Sequence, residues 1–243
     1  MRKAGKIVFF STSLLLIVMH LSLWIQDNQA FSVQNIRVTG AYLVSADEIL
    51  QAARDEAQKH IFKADLRTIE KRLAKFPQVK SVRVSRVFPN SIRIELEERE
   101  PVAVIIDNGI WGVDAEGVLL PRLQTVRGLD FPVIVGLQLR SYIAGEVVKN
   151  PRIRELAKIL GELRQQNPVV YHLISEITMN KLTGVQLTLI THQVPVILGR
   201  GRLMQKFNKL KSLYQYLLAT HEMKSVRYLD LRFHDQIVLK RKA

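Results

Sequence analysis

Six histidines, His20, His60, His172, His192, His221 and His234, are the side chains best suited to move protons or hold metals near neutral pH. None is paired at the short spacings that chelation from one element needs. Cysteine is absent, which removes thiolate zinc sites, thiol nucleophiles and disulfides together. No H-E-x-x-H, G-x-S-x-G or S-x-x-K occurs. Asp230 and Asp235 could form an acid pair, but beside a lysine-rich end they read more simply as salt-bridge partners. Gly199-Arg200-Gly201 could present backbone N–H groups to a phosphate. It lacks the third glycine and the lysine of the nucleotide fingerprints, so a tight strand-to-helix connection is the simpler reading. No catalytic residue, cofactor or metal site is expected, and binding is the chemistry left.

The residues that could bind lie near the end of the sequence. Tyr228-Leu229-Asp230-Leu231-Arg232-Phe233 alternates, so Leu229, Leu231 and Phe233 share one face, and Ile237-Val238-Leu239 follows as a second short strand. A terminal strand often lies at a sheet edge, where free N–H and C=O groups can accept another chain. The plainer alternative is a strand that only completes the protein's own core. Arg200 projects from the glycine turn and could serve the same partner.

The elements that must position these residues form an α+β domain over 101–243. Val102 to Ile106 and Ile110 to Val113 read as a hairpin around Asp107-Asn108-Gly109. Val118 to Leu120, Phe131 to Val135, Ile174 to Met179, Val185 to Ile190, Val194 to Leu198 and Val226 to Phe233 are further strands. Two helices are expected. One opens at Pro151 and ends at Asn167-Pro168; the other runs from about Arg202 to Ala219. On the second, Leu203, Phe207, Leu210, Leu213 and Leu217 make an apolar stripe with Arg202, Lys206, Lys209 and Lys211 mostly elsewhere. It reads as a helix covering a sheet, with a membrane-surface helix as the alternative.

An earlier domain spans about 31–100. Ile36 and Val38 make a short strand, and Ser45 with Glu48 forms a capping box ahead of Ile49, Ala53 and Ala57. Asp65 caps a helix carrying Leu66, Ile69, Leu73 and Phe76, which Pro77 stops. Val82, Val84 and Val87 then pair across Pro89-Asn90 with Ile92, Ile94 and Leu96. The order β-α-α-β-β places two helices on one face of a three-stranded sheet. Glu98-Arg99-Glu100 is expected to be a solvated strand end.

Ahead of both lies Ile7 to Ile25, nineteen residues without a charged side chain. A helix of that length is about 28 Å long, and its twelve Leu, Ile, Val or Phe residues favour insertion by about 4 to 7 kcal/mol. Arg2, Lys3 and Lys6 precede it and Asp27 follows, so residues 1–6 are expected in the cytoplasm and the rest outside. A cleaved signal peptide is the alternative, but Asn28-Gln29-Ala30 is a poor cleavage site. Trp24 fits an interfacial anchor. That topology makes nucleic acid an unsuitable partner for a chain of net charge +14. Anionic lipids, acidic wall polymers and acidic proteins are the available counter-charges.

The phrase PQVKSVRVSRVFPNSIRIELEEREPVAV, with Val113-Asp114-Gly117 after it and a membrane segment before it, resembles the FtsQ/DivIB family of bacterial cell-division proteins. The likeness covers nearly the whole chain. It implies a short N-terminus (1–6), one transmembrane helix (7–25), a POTRA domain (31–100) and an FtsQ-type β domain (101–243). It also implies a non-enzymatic divisome scaffold in the inner membrane at the septum, with FtsB and FtsL as partners and septal peptidoglycan synthesis as the process served. Carried over by residue, the partner surface is Arg200, Arg232, Phe233, Asp235, Ile237, Val238 and Leu239, with Phe233 standing where tyrosine is common. A POTRA-type translocation or chaperone module binding unfolded polypeptides is the alternative from another class, although the β-barrel such proteins carry is missing. An exported wall hydrolase is a third, which no constellation of residues suggests.

Overall fold

The computed structural model describes residues 12–22, 24, 28–123, 130–136, 142–180, 183–234 and 236–242. Residues 12–22 and Trp24 are helical, and among the described residues no helix is long and apolar enough to cross a membrane. The remainder of the expected span 7–25, and the expected cytoplasmic segment 1–6, lie outside the described residues. The chain divides into two compact units at Glu98–Arg99.

The first unit is built as its caps and periodicities dictate. Strand β1 (Asn35–Thr39) leads to helix α1 (Ala46–Ala57), whose N-terminus carries the complete Ser45–Glu48 capping box. Helix α2 (Leu66–Leu73) starts where the Asp65 carboxylate accepts the amides of Arg67 and Thr68. Strands β2 (Val79–Val87) and β3 (Ser91–Glu98) form an antiparallel hairpin, and β1 joins β3 in parallel, giving the order β1-β3-β2. Ile92 and Ile94 of the central strand are fully buried with Ile49, Ile69 and Leu73 of the helices. This is the expected β-α-α-β-β arrangement around a single core.

One carboxylate inside this unit is structural. Glu56 is almost wholly buried, accepts the Asp65 amide at 2.6 Å and pairs with Lys59 at 2.6 Å. Those hydrogen bonds, the Lys59 one foremost, hold its pKa below the usual glutamate value.

In the second unit the described residues form a sheet of order β12-β11-β10-β9-β8-β7-β4-β5-β6. Its strands are β4 (Pro101–Ile106), β5 (Ile110–Asp114), β6 (Leu119–Leu123), β7 (Val133–Val135), β8 (Ile174–Asn180), β9 (Gly184–Leu189), β10 (Pro195–Gly199), β11 (Val226–Asp230) and β12 (Val238–Arg241). Adjacent strands are antiparallel except β4–β7, β7–β8 and β10–β11, which are parallel and need longer connections. Helix α3 (Pro151–Gln166) lies in the connection from β7 to β8, and helix α5 (Leu203–Ala219) in that from β10 to β11. Leu203, Phe207, Leu210, Tyr214 and Leu217 of α5 are buried in the sheet's core, so this helix covers the sheet and its apolar stripe is spent there. Tyr171, fully buried, donates its hydroxyl to the Val102 carbonyl at 2.9 Å. Desolvation pushes that phenol up to about 12.

Four sequence expectations need correction. Among the described residues this unit has three α-helices, not two: Pro168 opens a further short helix, α4 (Pro168–Leu173), because proline costs nothing where no amide hydrogen bond is required. Glu98-Arg99-Glu100 is not simply solvated. Glu98 accepts the amides of Leu43 and Val44, and Arg99, only 16% exposed, bridges Asp114 at 2.6 Å and Glu116 at 2.7 Å. Strand β11 stops at Asp230 rather than Phe233, since the Asp230 carboxylate captures the Arg232 amide and turns the chain off the ladder. Strand β12 begins at Val238 and reaches Arg241, held at its far end by Lys242 N donating to the Ser225 carbonyl.

Truncating Ile94, on the central buried strand, should destabilise the first unit by about 2 to 5 kcal/mol. Its exposed neighbour should matter far less, Arg93→Ala staying within about 0.5 kcal/mol. Urea denaturation of both variants checks this, and equal effects would refute the burial of β3.

Candidate partner-binding site

The end of the sheet is shaped by three adjacent strands. Strand β10 lies between β9 and β11, with Val196 opposite Leu229 and Ile197 opposite Asp230. Leu231 N continues the pairing by donating to the Ile197 carbonyl at 2.8 Å. Because β10 and β11 run in parallel, the turn after β10 and the turn after β11 emerge at the same end of the sheet. That brings Arg200 and Arg232, thirty-two residues apart in sequence, onto neighbouring turns.

Close backbone approach fixes this corner. Gly199 has φ +72°, and a Cβ there would stand 2.8 Å from Cγ of Arg232. A Cβ on Gly184, across the β9–β10 pair, would stand 2.3 Å from the Gly199 carbonyl oxygen. Both positions need the left-handed freedom and the missing side chain of glycine. Lys206, in the first turn of α5, donates to the carbonyls of Leu198 and Arg200 at 2.6 and 3.0 Å and so ties the same turn down. Burial lowers its pKa, partly countered by the Asp230 charge.

Asp230 organises the other turn. Its carboxylate, nearly buried, accepts Arg232 N at 3.0 Å, Nε at 3.0 Å and Nη2 at 2.6 Å. These hydrogen bonds from Arg232 outweigh desolvation and hold the Asp230 carboxyl below its ordinary value. The guanidinium, itself half exposed, is thereby fixed in one orientation at the surface. Phe233 follows at 44% exposed, and Lys209 of α5 donates to the His234 carbonyl.

Strand β12 pairs with β11 through Asp230–Val238, Leu229–Leu239 and Tyr228–Lys240 and has no strand on its other side among the described residues. Its outer main-chain groups form a solvent-facing row. Val238 is 38% exposed and Lys240 is exposed, whereas Ile237 and Leu239 pack against the protein's own core. Of the seven residues expected to bind, Arg200, Arg232, Phe233 and Val238 present side chains to solvent at this corner. Ile237 and Leu239 can offer only backbone, and Asp235 lies outside the described residues.

Sequence reasoning treated Asp230 as a generic ion-pair partner and gave Lys206 and Lys209 no role. The alternation of Tyr228 to Arg232 carried the missing signal, since it puts Asp230 and Arg232 on one face. A lysine one turn into a helix that follows Gly-Arg-Gly was the signal for Lys206. Among the described residues no group of three metal-ligating side chains gathers.

A compact β-α-α-β-β module followed by a mixed sheet ending in an open, basic strand defines a two-module α+β protein. Residues 31–99 match the family model described as "POTRA domain, FtsQ-type", and residues 103–232 match "Cell division protein FtsQ/DivIB, C-terminal". The chain belongs to the FtsQ/DivIB family of cell division proteins. Among similar curated proteins, the cell division protein FtsQ of Geotalea daltonii is 28% identical over 211 residues, covering 87% of this chain and 76% of its own. That of Syntrophotalea carbinolica is 28% identical over 210 residues (86% and 74%), and that of Geobacter sp. strain M21 is 29% identical over 214 residues (86% and 76%).

The Asp230–Arg232 pair has a pH signature. A carboxyl whose folded pKa is depressed contributes stability above its unfolded value and loses it as pH falls through the folded one. Carbonyl-carbon NMR titration should find Asp230 below 3.8 in the native chain and shifted upward in Arg232→Ala. An unchanged titration would show that Arg232 does not hold it.

Proposed function

We propose that this protein is a non-enzymatic scaffold of the divisome that captures FtsB, together with FtsL, by adding a partner strand to β12. In this reading, residues 7–25 anchor it once in the inner membrane with the N-terminus in the cytoplasm. The two exterior modules then position division proteins at the septum, where peptidoglycan is synthesised. The single observation that carries the docking mode is the place of β12 at the end of the sheet. Family membership supplies the process, and the apolar segment with its basic flank supplies the topology.

Magnitudes divide the work between backbone and side chains. Four ladder hydrogen bonds at about 0.5 to 1.5 kcal/mol each contribute about 2 to 6 kcal/mol. Micromolar affinity requires about 8 kcal/mol net of association costs. Backbone addition to a four-residue edge therefore needs anchors, and an oriented arginine beside an exposed phenylalanine is the usual kind. Arg200 and Arg232 at the corner and Lys240 along β12 make this edge basic, which suits a strand bearing Asp or Glu.

Full-length Phe233→Ala and Arg232→Glu should each weaken co-purification of FtsB by about tenfold or more, with circular dichroism and melting unchanged for Phe233→Ala and melting lowered for Arg232→Glu, which leaves Asp230 without its partner. Undiminished capture by both folded variants would refute β12 as the docking edge.

A further inference from the structure

The end of the first unit opposite Tyr42 carries an aromatic cluster in which Phe31 packs on the core while Phe62 and Phe88 face outward. The rings of Phe31 and Phe62 are 5.9 Å apart and those of Phe62 and Phe88 are 5.2 Å apart. Phe62 is 51% and Phe88 58% exposed, while Ile61 just before Phe62 and Ala64 two residues after it are buried. Three loops converge there: the turn Gln29–Phe31, the loop after α1, and the β2–β3 turn. They are tied together, since Ile61 N donates to the Phe31 carbonyl at 2.7 Å, Val33 N to that of Lys59 at 3.1 Å, and Gln34 N to that of Asn90 at 2.9 Å. Contiguous exposed aromatics on a domain mark an interaction surface.

Chain length says what meets it. Phe31 is seven residues beyond Trp24, so even a fully extended connection keeps it within about 24 Å of the end of the apolar segment. The turn at Gln29–Phe31 shortens that reach further. Phe62 and Phe88 are coupled to Phe31 by the hydrogen bonds above and share its restriction. The charged groups of the same loop suit a headgroup layer: Lys63 is exposed, Lys59 pairs with Glu56, and Asp65 is turned into the α2 cap.

We infer that Phe31, Phe62 and Phe88 form a second, non-helical membrane contact that seats this module on the phospholipid surface beside its anchor. The inference rests on residues 7–25 being a membrane anchor. Exposed phenylalanines beside a basic loop insert shallowly at the boundary of headgroups and acyl chains, where the rings leave water while the charged groups stay among the headgroups. Docked in this way, the first unit has its α1 entry loop, with Tyr42 90% exposed, at the far end of β3. At about 3.3 Å per residue, the eight residues of that strand carry it about 26 Å from the patch.

Tryptophan quenching by acyl-brominated lipids reads this in the full-length protein, reconstituted in phosphatidylethanolamine–phosphatidylglycerol vesicles. Three single-tryptophan chains are compared: natural Trp24 with Trp111→Phe, and Phe62→Trp or Tyr42→Trp with both natural tryptophans changed to Phe. Trp24 and Phe62→Trp should both lose emission on bromolipid, and Tyr42→Trp should not. Quenching of Trp24 with Phe62→Trp no more affected than Tyr42→Trp would overturn the docking inference and leave the anchor standing, the patch then belonging to a protein partner. Unquenched Trp24 would overturn the anchor and the inference together. Phe88→Trp repeats the measurement at a second ring should Phe62→Trp unfold.

Discussion

Every buried main-chain donor and acceptor in a sheet must find a partner, and only an outermost strand escapes that rule on one side. The second unit is organised around this exemption. Among the described residues the seven inner strands are paired on both sides, the outer side of β6 is met by Gly145 and Glu146 through hydrogen bonds with Leu119, and β12 at the opposite end keeps a row of polar groups for solvent. The strand is held in place because Leu239 packs inward and the pairs with β11 hold its inner row. A sheet end of this kind is also an aggregation hazard, and the exposed Lys240, Arg241 and Lys242 deter identical copies by like charge.

The orientation of Arg232 depends on a burial that would be unfavourable elsewhere. Asp230 is a carboxylate between the buried Leu229 and Leu231, almost out of contact with water. It is tolerable there because three donors of one neighbouring residue converge on it. Side-chain entropy that a free arginine would lose on binding is already lost in the unbound chain. The same pre-ordering applies to the Gly199 turn, where Lys206 holds the carbonyls of Leu198 and Arg200.

Much of this was legible beforehand, for definite reasons. Ser45-x-x-Glu48 and Asp65 are local signals, so the helix starts they mark appear where expected. Alternation in Ile92-Arg93-Ile94-Glu95-Leu96 marks one buried face, and the structure buries its three apolar members. What escaped was set by contacts remote in sequence. Arg99 looked like a solvated strand end because its partners Asp114 and Glu116 arrive only when β5 folds back. Pro168 looked like a stop because nothing local distinguishes a proline that ends one helix from one that begins the next. Lys206 looked like part of a polar helix face, although the parallel crossover from β10 to β11 lays it over two carbonyls.

The glycine pair at the β9–β10 end has a wider meaning for how such a corner could be mapped. Its form is dictated by atoms that are not there: Gly184 and Gly199 leave room for each other and for the stem of Arg232. Alanine scanning works by subtraction and registers side chains that contribute contacts, so it treats a glycine as already blank. Here the determinants are two hollows, and only a survey that adds a methyl group at a time would reveal them.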